Sequence, residues 1–223
     1  MCNHHLDEAT IVSFASGAIS PPLAIVVSSH LELCSHCRDK VEKAEVIGGS
    51  LLQGMQEQPL SDRALNDLLE KLGARNKNRI LEVAEQPPAV HCDILPSCVS
   101  NIVKKPVNEL SWKRVGAGVS LYQIATENTD KARFEKLFLM KIEAGRKMPE
   151  HGHGGSEITL ILSGSYSDEL GTYKRGDVAD LDEDIEHQPI VSKEAPCICL
   201  VAIEAPTRFK GFFPKLFQPY VGL

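Results

Sequence analysis

Three residues near the N-terminus, His30, Cys34 and Cys37, stand in an H-x3-C-x2-C run. On one continuous helix these positions share a face. Two sulfurs three residues apart and an imidazole one turn earlier would then supply three of the four ligands that a structural zinc ion takes. The fourth candidate is His5, brought back by a short first helix; the adjacent His4 is the alternative, and spacing does not exclude it. His36, between the cysteines, is expected to face solvent. A plainer reading makes the cysteines small buried hydrophobes. It loses weight because a helical segment of fewer than ~90 residues buries little surface, so a metal cross-link adds stability that its core lacks. Downstream, His151 and His153 lie two residues apart and face the same way on a strand, and Glu157 can join them across a glycine turn. Imidazoles with a carboxylate make a mixed site open to zinc, iron, manganese or nickel.

The elements that must hold these groups differ in texture. Up to residue 86, apolar residues recur at helical spacing in four groups: Ile11, Phe14, Ala15 and Ala18; Leu23, Val26 and Val27; Val41, Ala44 and Ile47; Leu65, Leu68, Leu69 and Leu72. Ser20-Pro21 and Ser61-Asp62 suit helix starts, while Gly17, Gly48-Gly49 and Gly73 suit helix ends. Three prolines between Gln86 and Cys98 forbid a continuing helix and mark a boundary. Beyond it come short runs with a period of two, among them SLYQIAT, KLFLMKI, EITLILSG and ICLVAIEA, which predict an antiparallel barrel or sandwich. The expected architecture is α+β in two domains: a four-helix segment over 1–86, a linker over 87–105 and a β domain over 106–223. The tail after Pro206 carries five of the twelve aromatic residues and is expected to cover the barrel.

Composition narrows the classes further. A net charge of −6, spread over both parts of the chain, opposes direct DNA binding. No apolar run approaches the ~18–20 residues that span a bilayer, and the N-terminus has no basic or apolar leader, so a cytoplasmic location is expected. Seven cysteines in uneven clusters do not form a secreted disulfide framework.

His5, followed 25 residues later by H-x3-C-x2-C within a helical segment, resembles the zinc-binding domain of bacterial zinc anti-sigma factors. The spacing G-x5-H-x-H-x3-E-x6-G from Gly145 to Gly164 matches the first cupin motif. The second motif is looser, with Gly171, Gly176-Asp177 and then His187 ten residues on, later than in most cupins. The whole chain resembles the ChrR-type anti-sigma factors, which share that departure. The resemblance implies His187 as the fourth cupin ligand, Zn(2+) in both sites, and an extracytoplasmic-function sigma factor as partner, sequestered by the helical domain. It also implies release on singlet-oxygen-type oxidative stress sensed by the cupin domain. Thioethers and thiols are oxidisable, which makes Met140, Met148, Cys197 and Cys199 candidate targets; Cys197 and Cys199 lie two apart on a strand and face the same side, and the plainer reading makes them core residues. A homodimer through the cupin domain is compatible with the resemblance. The competing expectation is a metal-dependent cupin dioxygenase or isomerase, with His151, His153, Glu157 and His187 holding iron and the zinc domain as an accessory.

Overall fold

The computed structural model describes residues 2–57, 59–82, 94–126 and 134–209, with the backbone alone for 74–82 and 209. The expected boundary near residue 86, Cys92 and most of the aromatic tail lie outside these residues.

Helix α1 (Glu8–Ala15) starts where Asp7 accepts a hydrogen bond from the Thr10 amide at 2.7 Å and ends before Gly17, whose φ of +70° turns the chain. Helix α2 (Pro21–Leu33) opens with Ser20 at its cap and proline in its first turn. The candidate metal-ligand run is not one helix. Cys34 adopts an extended conformation (φ −121°, ψ 104°) that ends α2 and starts α3 (Ser35–Gln53), so the ligands straddle a helix–helix corner. Nor do Gly48-Gly49 and Gly73 end helices: α3 runs on to Gln53, and α4 spans Ala64–Glu82. An interior glycine costs only about 1 kcal/mol against alanine, and the helix-forming neighbours outweigh it. A fifth helix, α5 (Ser97–Val103), lies in the segment expected as linker. Pro96 offers its first turn no side-chain cap, and the Glu32 carboxylate of α2 accepts the Ser97 and Cys98 amides instead.

The β part comprises β1 (Lys113–Gly116), β2 (Val119–Ile124), β3 (Lys136–Ile142), β4 (His151–Gly152), β5 (Glu157–Ser163) and β6 (Ser165–Ser167). It continues with β7 (Thr172–Lys174), β8 (Val178–Leu181), β9 (Glu186–His187), β10 (Ile190–Val191), β11 (Cys197–Ile203) and β12 (Arg208–Phe209). A six-stranded sheet in the order β1-β2-β3-β11-β5-β8 is joined by two small sheets, β10-β6-β7 and β12-β4-β9. The period of two sorts each central strand between two cores. Ile158, Leu160 and Leu162 of β5 and Leu137 and Leu139 of β3 face a core shared with α2, whose Leu23, Val26 and Val27 lie against the sheet. Ile161, Phe138 and Val201 face the other way, into the barrel with Tyr166 and Tyr173. Apolar residues on both faces explain why these strands read as nearly continuous hydrophobic runs. They also mean that the helical and β segments share a core.

Two candidate metal centres

The chain gathers the first cluster from three places. Residues 3–7 lie beside β8, where the Val178 amide donates to the His4 carbonyl (3.4 Å) and the Asp7 amide to Asp180 Oδ2 (3.1 Å), with Leu6 buried beneath. This strap brings His5 to the α2–α3 corner. His5 Nδ1 lies 3.3 Å from Cys34 Sγ and 3.6 Å from Cys37 Sγ, and His30 Nε2 lies 3.2 Å from Cys37 Sγ. The ligand-type atoms of His5, His30, Cys34 and Cys37 fall within 4.8 Å of one another. His4 points away, its Nε2 bonded to the Thr172 carbonyl at 3.1 Å and its ring packed on Tyr173. His36 is exposed, with its ring 4.5 Å from that of His5.

The local chemistry suits a cation. His30 Nδ1–H donates to the Gly176 carbonyl at 3.0 Å, which leaves Nε2 as an unprotonated donor aimed at the sulfurs. Burial pushes the His30 pKa down to about 4, so the ring is neutral at pH 7, and pushes the Cys37 thiol up to about 11. A soft ion binding there displaces the thiol proton and repays the desolvation of the sulfur.

The second cluster sits inside the barrel. β4 pairs with β9 so that His151 lies directly opposite His187; His153 follows β4, and Glu157 is the first residue of β5. All four are buried, with candidate ligand atoms within 4.8 Å of one another. His151 Nδ1–H donates to the Pro149 carbonyl (2.9 Å) and His187 Nδ1–H to Asp168 Oδ2 (2.8 Å). With those protons placed, the two Nε2 atoms face each other lone pair to lone pair 3.2 Å apart, an arrangement that a shared cation relieves. His153 Nε2 is buried without a hydrogen-bond partner among the described residues, a cost of about 1–3 kcal/mol that an ion would cancel. Burial opposes the charge of Glu157, yet His153 at 3.1 Å outweighs it and holds the carboxyl down at about 2. Desolvation lowers the His151 pKa, which favours the neutral ring.

Sequence reasoning missed Asp168, 19 residues from His187, and the cupin-side contacts of the first cluster. Cys197 and Cys199 face one way on β11, as expected, their sulfurs lie 3.5 Å apart in the barrel core, and Cys199 lines the same cavity as Glu157 and His187. Met140 and Met148 line the same cavity.

The model of the ChrR cupin-like domain family matches residues 102–206. The chain is 32% identical over 218 residues, 97% of each protein, to the anti-sigma-E factor ChrR of Cereibacter sphaeroides. Its fold superposes with a TM-score of 0.70 on a chain of the Rhodobacter sphaeroides complex of SigE with the anti-sigma ChrR. That match is 28% identical and covers 91% of this chain and 99% of the other. With similarity running through both the helical and the cupin segments, this chain belongs to the ChrR family of anti-sigma factors.

Proposed function

We propose that the protein is a cytoplasmic, zinc-dependent anti-sigma factor. Its helical segment sequesters an extracytoplasmic-function sigma factor, and its cupin domain receives an oxidative signal of the singlet-oxygen type that ends the inhibition. His5, His30, Cys34 and Cys37 hold one Zn(2+); His151, His153, Glu157 and His187 hold a second divalent metal, Zn(2+) in this reading. The observation that carries the proposal is the apolar surface left open on α3 and α4. Leu65, Leu68, Leu69 and Leu72 recur at i, i+3, i+4 and i+7 on α4, and Val46, Ile47, Leu51 and Leu52 extend along α3. All are well exposed among the described residues. Exposed leucines in that pattern suit a helix-in-groove partner, and the homologous SigE–ChrR complex supplies the class of partner. No helix among the described residues is long and apolar enough to cross a membrane.

The enzymatic alternative finds little room. The cavity beside the second cluster has a volume of about 50 Å³. One liquid water occupies about 30 Å³, and organic ligands need several hundred. Co-expression with the sigma factor encoded beside the gene, followed by affinity capture and run-off transcription, tests the proposal. A stoichiometric complex that silences the cognate promoter is expected. Failure to capture sigma, with metal-dependent oxygen consumption in its place, would overturn it.

A further inference from the structure

The first cluster is not built by the helical segment alone. The turn between β7 and β8 reaches it directly: the Gly176 carbonyl accepts the His30 ring proton, and the fully buried Asp177 accepts the Asn3 and His4 amides through Oδ1, the latter at 3.2 Å. Asp177 Oδ2 accepts the Lys174 amide at 3.0 Å, so one carboxylate ties the turn to the strap that delivers His5. Gly176 sits at φ +90°, a backbone conformation that favours glycine, and a Cβ there would lie 3.1 Å from Cys2 Sγ, a tight contact.

A second grip lies on the preceding turn. His4 bonds the Thr172 carbonyl and stacks on Tyr173, and a Cβ on Gly171 would lie 2.7 Å from the His4 ring. The same turn is organised from the other side by Asp168, whose Oδ1 accepts the Leu170 and Gly171 amides while Oδ2 accepts the ring proton of His187. Tyr173 in turn stacks on Tyr166, which lines the cavity of the second cluster. A single hairpin, residues 165–177, therefore touches ligand-type residues of both centres.

We propose that this hairpin is a clasp: the cupin domain supplies the outer shell of the helical domain's metal centre, and ion retention there depends on the Asp168–Gly171–His4 and Asp177–strap contacts. The proposal deepens the anti-sigma reading by naming the physical link between receiver and sigma-binding segment, and it rests on the first cluster holding an ion. Asp168, Gly171, His4 and Asp177 act as positioning residues, since none belongs to either ligand set. Loss of outer-shell partners lowers metal retention by roughly ten- to a hundredfold at other sites.

The test uses the full-length protein loaded with cobalt, without sigma. A thiolate-to-cobalt charge-transfer band reports the first centre alone, because the second ligand set contains no sulfur. After a chelator is added, band decay is followed in the wild type and in His4→Ala, Gly171→Ala, Asp177→Asn and Asp168→Ala. Decay about tenfold or more faster in Asp177→Asn and Gly171→Ala is expected, with a smaller acceleration in Asp168→Ala. His4→Ala removes a half-exposed ring and no sheet hydrogen bond; it decides the matter if a buried variant fails to fold. Rates within about twofold of wild type for His4→Ala and every folded variant would overturn the clasp. Absence of the band from the wild-type protein would overturn the reading of the first centre, and the clasp with it.

Discussion

The α4 face offers the sharpest test of the sigma-binding surface. Leu68 and Leu69 are 53% and 56% exposed, so each has about half of its side-chain surface left to bury on a partner. Full burial of a leucine is worth about 1.5–3 kcal/mol, which leaves roughly 0.8–1.5 kcal/mol for each and about 1.5–3 kcal/mol for the pair. The double variant Leu68→Ala/Leu69→Ala should therefore weaken sigma binding by roughly 10- to 150-fold, toward the lower end where contact is incomplete. Alanine is at least as good a helix former as leucine, and exposed positions shift stability by no more than about 0.5 kcal/mol, so folding should be unaffected. Titration calorimetry at fixed salt gives the Kd, and thermal melting verifies the fold. Ile190→Ala, at a 46% exposed position on β10, is the control and should bind as wild type does. A Kd for the double variant within about threefold of wild type, with the fold intact, would refute the reasoning.

Other outcomes follow from the two centres and the strap. Cys37→Ala should lose the ion of the first cluster and with it the inhibition of transcription, as read by elemental analysis alongside run-off assays. Full inhibition by a zinc-free variant would count against the anti-sigma mechanism. Glu157→Gln removes a charge from the second cluster without touching the strap. It should leave sigma affinity within about threefold of wild type while blunting release under photo-oxidative stress, and loss of sigma binding itself would contradict that division of roles. Burial lifts the Asp180 carboxyl to about 6 from its ordinary 3.8, although the Asp7 amide pulls the other way. The folded protein therefore holds this proton more tightly than the unfolded chain, and the stability it adds is complete below about pH 4 and lost as pH rises through about 6. Asp180→Asn should flatten that decline by about 2 kcal/mol in urea melts between pH 4 and 7; an unchanged slope would show that Asp180 is not its source.

The residues of the two candidate sites were readable in the chain wherever a short-range pattern carried them. H-x3-C-x2-C keeps its ligands within one helix–helix corner, and H-x-H-x3-E spans one turn between two strands, so local spacing sufficed to name them. The period-two runs revealed the strands for the same reason. Helix ends were less legible: Gly48, Gly49 and Gly73 lie inside helices because a glycine penalty is small against the propensity of a long segment. The break at Cys34 went unseen because no glycine or proline marks it.

What the amino-acid order determined by itself was the inventory: two sets of candidate metal-ligand side chains, a helical part and a β part, and an amphipathic α4 with leucines at helical spacing. Tertiary structure alone decided which of two adjacent histidines meets the cysteines. The strap along β8 turns His5 to the sulfurs and His4 to Thr172. It also decided that His187 faces His151, that Asp168 bonds His187, and that Gly176 bonds His30, 146 residues earlier in the chain, while Asp177 bonds the His4 amide, 173 residues earlier. Local periodicity reports only which side of its own element a residue occupies, whereas pairings across such separations arise when separate elements pack their apolar faces together.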